Sequence, residues 1–99
     1  MSRLDLDRTS SDDRVRATTT AWVEANVPAP WRDAAAEGRA AIRAVRPRAE
    51  YEGWYPTFAD SGLAVATWRR EYGGLDLTPA QARVAEGVLA PYNLGRLNP

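Results

Sequence analysis

The chain has 99 residues, with 13 arginines balancing 13 acidic residues and no lysine, histidine or cysteine. Those absences exclude a disulfide framework, a Cys/His zinc site, a thiol nucleophile, a Ser-His-Asp triad within these residues, a Schiff-base lysine and a P-loop lysine. Zero net charge argues against a general nucleic-acid binder, which needs a basic excess to release counterions, and no apolar run reaches the length of a membrane span.

Residues 1–10 are polar and contain no hydrophobic signal core, which points to the cytoplasm, and they are expected to form a disordered tail. Ser10 with Asp13 three positions on resembles a capping box, with Asp in place of the usual Glu, and so predicts a helix start. Val15, Thr18, Thr19, Trp22 and Val23 then recur at helical spacing on one face. Pro28 and Pro30 predict the end of this helix near Asn26.

Pro30 suits the first turn of a second helix. Ala34, Ala35, Gly38, Ala41, Ile42 and Val45 form its apolar stripe, small enough for close approach to a neighbour, and Arg46-Pro47 closes it. Arg32, Arg39, Arg43 and Arg46 project elsewhere, among Asp33 and Glu37. A solvated, ion-paired face is the expectation for them, and a surface for an anionic partner is the alternative. Tyr51, Trp54, Tyr55 and Phe58 have the beat of a third helix, weakened by Gly53 and starting late or kinked at Pro56, with Ser61-Gly62 as its stop.

Leu63 to Tyr72 reads as extended or irregular, and Gly73-Gly74 as a turn. No strand and no G-x-G-x-x-G spacing accompany the glycine pair, so a phosphate cradle is excluded. Glu71 follows Arg69 and Arg70 directly. A general base needs burial or a like-charge neighbour, so a structural ion pair is expected instead. Trp68 and Tyr72 are expected in the core, anchoring a corner between helices. Thr78-Pro79-Ala80-Gln81 is the clearest helix start in the chain: cap, Pro at the first helical position, Gln at the third. The fourth helix carries Val84, Ala85, Val88, Leu89 and Tyr92 on one face, until Pro91 and Gly95 break it. The class is all-α, a small bundle of about four helices.

The run Gly62-Leu63, Trp68, Glu71-Tyr72-Gly73-Gly74-Leu75, Leu77-Thr78-Pro79, followed by Glu86, Leu89-Ala90, Asn93 and Asn98-Pro99, resembles the N-terminal helical domain of acyl-CoA dehydrogenases. Trp54, Ala59, Gly62 and Leu63 resemble the helix that precedes this corner in the family. The likeness covers Tyr51 to Pro99 and is only generic over residues 11–46. Arg69 and Ala66 stand where the family usually has prolines. The resemblance implies that residues 11–99 are part of an N-terminal helical domain. In that family, FAD accepts a hydride from an acyl-CoA thioester in a homo-oligomer. The flavin and the catalytic glutamate are held by later domains.

It further implies that no catalytic or flavin-binding residue lies in these 99 residues and that none binds FAD alone. Tyr92, Leu94, Leu97 and Asn98 are the positions expected to approach the acyl chain. Leu94 and Leu97 as caps of the helical core, with Tyr92 and Asn98 on the surface, are the plainer alternative. Without the later domains, the helix faces should leave apolar patches exposed, favouring weak stability, self-association or docking. Two functional readings remain: an enzyme fragment that helps wall an acyl pocket, and a free-standing helical module that docks on a partner protein. An isolated hydrolase is set aside, because no carboxylate pair is convincingly placed.

Overall fold

A computed structural model describes residues 3–94. The described residues contain α-helices and short 3-10 turns and no β-strand. The helices are α1 Asp12–Asn26, α2 Ala29–Ala35, α3 Arg39–Val45, α4 Arg48–Ser61 and α5 Pro79–Leu89. Short 3-10 turns span Leu63–Val65, Arg70–Tyr72 and Ala90–Tyr92. The radius of gyration is 13.2 Å, the value of about 13 Å expected for one folded unit of about 100 residues.

α1 starts one residue later than its sequence signal implied. Ser11, not Ser10, is the cap, and its hydroxyl accepts a hydrogen bond from the Arg14 amide at 3.0 Å. Ser10 closes the preceding turn instead, its hydroxyl accepting from the Asp7 amide at 3.0 Å. The predicted face is the buried one: Val15, Thr19, Trp22 and Val23 point inward. α1 packs chiefly along α5.

The single helix expected from Pro30 to Arg46 is two helices. Gly38 separates them at φ +106°, a left-handed conformation that no helix interior contains and that glycine adopts most readily. The six-residue stripe does not survive this break. Ala34 and Ile42 are buried, whereas Val45 is 41% exposed.

α4 runs unbroken from Arg48 through Pro56 to Ser61. Its aromatic face compensates for the missing amide: Tyr51 and Phe58 are buried, Trp54 and Tyr55 half-buried. Around them lie Trp22 of α1, 6.0 Å from Trp54 and 5.8 Å from Phe58 between ring centroids, and Trp31 of α2, edge-on to Trp54 at 5.2 Å. Each such pair adds about 0.5–1.5 kcal/mol to the burial of its rings. Gly62 ends the helix at φ +87° as the predicted stop.

Residues 3–10 are not a disordered tail. Leu6 is buried in the core, and Arg3, Arg8 and Gln81 tie the segment down. The Arg3 guanidinium donates to the carbonyls of Asp60, Arg70 and Gly74 at 3.1–3.3 Å. Arg8 pairs with Asp76 at 3.1 Å. A polar composition hid this docking, because the bonds run from side chains to carbonyls more than 50 residues away.

Candidate functional site

The corner between α4 and α5 is built from its backbone. After Gly62, the 3-10 turn Leu63–Val65 leads to Trp68, whose amide donates to the Val65 carbonyl at 2.9 Å. The Trp68 carbonyl then accepts from the Asp76 amide at 2.8 Å, and the Ala66 carbonyl from the amides of Leu75 and Leu77 at 3.3 and 3.0 Å. Gly73 turns at φ +96°. Gly74 lies so close beneath this lattice that a Cβ there would sit 2.2 Å from the Trp68 oxygen and 2.5 Å from the Val65 oxygen.

Leu75 and Leu77, both fully buried, anchor the corner to the core. The expectation for the aromatics is therefore corrected: Trp68 is 55% and Tyr72 65% exposed. The inward positions are filled by the leucines, and the carbonyls of Val65 and Trp68 face Gly74, while the Trp68 and Tyr72 side chains stay outside. Glu71 is exposed beside Arg69 at 3.9 Å, the expected ion pair in a solvated and weak form. Arg70 has another task, donating to the Leu4 and Leu6 carbonyls at 3.1 and 2.6 Å.

α5 begins with the predicted reciprocal cap. The Thr78 hydroxyl accepts from the Gln81 amide at 3.2 Å and the Gln81 Oε1 from the Thr78 amide at 2.8 Å. Gln81 is itself buried, and its Nε2 donates to the carbonyls of Asp7, Arg8 and Ser10 at 2.9–3.2 Å. One side chain thus starts the helix and holds the N-terminal segment against it.

Beyond α5 the chain folds over Tyr51 and Arg46. The Tyr51 hydroxyl donates to the Leu94 carbonyl, and the Arg46 guanidinium donates to the carbonyls of Tyr92 and Asn93 at 3.1 and 3.2 Å. Arg46 also lies over the Tyr51 and Trp31 rings, 4.6 and 5.3 Å from their centroids. Burial holds the Arg46 guanidinium below its ordinary pKa, with a smaller opposing effect from Tyr51. Burial likewise raises the Tyr51 phenol, against the opposing charge of Arg46. Neither the aromatic bed nor these carbonyl contacts could be read from Arg46-Pro47, which marked only a helix end.

A cleft of about 390 Å³ opens between α3, the end of α4 and α5. Phe58, Leu63, Leu89 and Leu94 line its apolar part, with Arg39, Glu86 and Asn93 among its polar side chains. Of the positions expected at an acyl chain, Leu94 borders this cleft with its side chain 1% exposed. Tyr92 is half-buried against the core and is absent from the cleft lining. Leu97 and Asn98 lie outside the described residues.

Asn93 and Arg39 are cleft residues that the helical pattern did not reveal. Asn93 sits in the left-handed region at φ +52°, which only the observed turn brings to the cleft. The four arginines of the second predicted helix do not act together. Arg32 donates to the Val27 carbonyl at 3.0 Å and Arg46 serves the interior, while Arg39 and Arg43 are exposed.

Among the described residues no group of three or more His, Cys, Asp or Glu side chains could hold a metal ion, and no helix is long and apolar enough to cross a membrane. Comparison with family models gives no match, and searches of curated proteins and of solved structures find no similar chain.

Proposed function

We propose that this chain is an N-terminal portion of an FAD-dependent acyl-CoA dehydrogenase, contributing to the wall of the acyl pocket and inactive alone. The observation that carries this reading is the corner. Residues on which the family resemblance rests have jobs there: Gly74 admits no side chain, Leu75 and Leu77 anchor, and Thr78 and Pro79 restart the helix. Leu94, beyond the 3-10 turn that follows α5, borders a cleft of about 390 Å³, within the range of about 300–1,000 Å³ usual for small-molecule sites.

The described residues do not fit the flavin itself. The cleft is at the small end of that range, and the glycine pair serves as the turn that closes a 3-10 segment, with no helix opening directly from it. No step of flavin chemistry is therefore assigned to this chain, and neither is a catalytic residue. Acyl-CoA and further copies of the chain are the partners this reading implies, and the cytoplasm its compartment.

The test is the DNA that follows codon 99. An in-frame continuation encoding a Gly-Thr-x-Glu-Gln segment and a Ser-Glu-Pro run is expected. A stop codon directly after Pro99 would overturn the reading. It would favour the second one, a helical module that docks on a partner protein, for which Trp68 and Tyr72 on a fixed backbone are the specific support.

A further inference from the structure

We propose that the cleft between α3, the end of α4 and α5 binds a single apolar α-amino acid of leucine size, held as its zwitterion between Arg39 and Glu86. The inference goes beyond the acyl-CoA reading and does not rest on it. It concerns the charged side chains of the cleft, which an acyl chain alone would not use.

The floor of the cleft is apolar and closed. Phe58, Leu63, Leu89 and Leu94 line it and are only 1–7% exposed. One wall is fixed before any ligand arrives. Arg46 holds the carbonyls of Tyr92 and Asn93, and the Tyr51 hydroxyl holds that of Leu94, so binding need not order this stretch of main chain. Asn93 borders the cleft from that wall, and its carboxamide carries both a donor and an acceptor.

The charges stand on different elements. Arg39 belongs to α3 and Glu86 to α5; both line the cleft and both are exposed. Among the described residues neither is in an ion pair, with the other or with a third group. A neutral apolar ligand would leave both charges unused. A carboxylate without an amine would pair with Arg39 and leave Glu86 idle, and an amine without a carboxylate would do the reverse. A free amino acid carries a carboxylate and an ammonium on one carbon and sends its side chain away from them. It therefore uses both charges and the apolar floor together, the division of labour usual in small-molecule sites. At about 390 Å³ the cleft is near the small end of such sites, which suits one residue-sized molecule over a peptide.

The test is an amide NMR titration of the full chain with L-leucine, with 4-methylpentanoate (leucine without its amine) and with 3-methylbutylamine (leucine without its carboxylate). Leucine is expected to shift the amides of Ala90, Asn93 and Leu94 saturably, with a Kd of about 1 mM or below, in line with the efficiency of small ligands. Each analogue should bind about fivefold more weakly or worse, the loss of one charge-assisted contact at a partly solvated site. Arg39→Met and Glu86→Gln alter exposed side chains and should leave the circular-dichroism melt unchanged. Each should weaken leucine by a similar factor. Arg39→Met should not weaken the amine, and Glu86→Gln should not weaken the acid.

The proposal is overturned if leucine gives no saturable shift at these amides up to about tenfold the expected Kd. Binding of either analogue as tightly as leucine, or leucine affinity unchanged in either variant, would also overturn it. None of these readouts involves flavin or CoA, so failure here leaves the acyl-CoA reading untouched, and a stop codon at position 100 leaves this inference untouched.

Discussion

Replacing Gly74 by alanine should be the most damaging single-methyl change in the corner. The new Cβ would lie 2.2 Å from the Trp68 carbonyl oxygen, 2.5 Å from that of Val65 and 2.6 Å from the Trp68 carbonyl carbon, where ordinary contact begins at 3.4 Å. All three atoms are backbone, so no flexible side chain can swing aside. Overpacking of this kind costs about 1–3 kcal/mol. Moving the two carbonyls by about 1 Å also strains the bonds they accept from Asp76 and Trp68, each worth about 0.5–1.5 kcal/mol.

The total is about 2–6 kcal/mol, a large part of the 5–15 kcal/mol by which such domains are stable. It corresponds to a Tm drop of at least about 8 °C. Gly73→Ala is the internal control. There the space is open and only the φ of +96° resists a side chain, at about 1–2 kcal/mol. Thermal and urea melts followed by circular dichroism measure both. A Gly74→Ala chain as stable as Gly73→Ala, or more so, would refute the account of the corner.

Gln81→Glu keeps an acceptor for the Thr78 amide but loses the Nε2 donor to Asp7, Arg8 and Ser10. It should cost about 2–3 kcal/mol and speed hydrogen exchange at the Leu4 amide, which donates to Ser61, while leaving α5 helical. Unchanged exchange at Leu4 would show that other contacts hold the segment. Tyr51→Phe leaves the buried Leu94 carbonyl without its donor and should cost about 1–3 kcal/mol at neutral pH.

The pH dependence of that loss follows from burial, which raises the Tyr51 pKa above its ordinary value of 10.0. The fold favours the protonated phenol, so its contribution is complete below about pH 10 and declines as pH rises through the folded-state value. The stability gap between wild type and Tyr51→Phe should therefore be flat near neutrality and shrink in alkali. A gap that widens there would contradict the burial of the phenol.

Local signals located the elements whose determinants lie within a few residues. The Thr78-Pro79-Gln81 cap, the Gly62 stop and the Val15–Val23 face of α1 are all of this kind. Where a residue had two local readings, the pattern chose wrongly. Gly38 fitted a stripe of small residues, yet its φ of +106° divides the helix. Trp68 fitted a core anchor, yet Leu75 and Leu77 took that place. The candidate cleft was legible only at Leu94. Arg39 and Asn93 reach it through turns whose direction depends on packing, and no spacing in the chain encodes that.

Composition alone settled the chemistry that this chain cannot perform, because a missing histidine, lysine or cysteine removes a functional group wherever the backbone goes. Periodicity and caps settled the helical character, since those rules act over one or two turns. Tertiary structure decided which aromatics are covered, which arginines are spent on carbonyls, and that residues 3–10 belong to the folded body. Those outcomes depend on groups far apart in the chain competing for the same interior space, and that competition has no local signature.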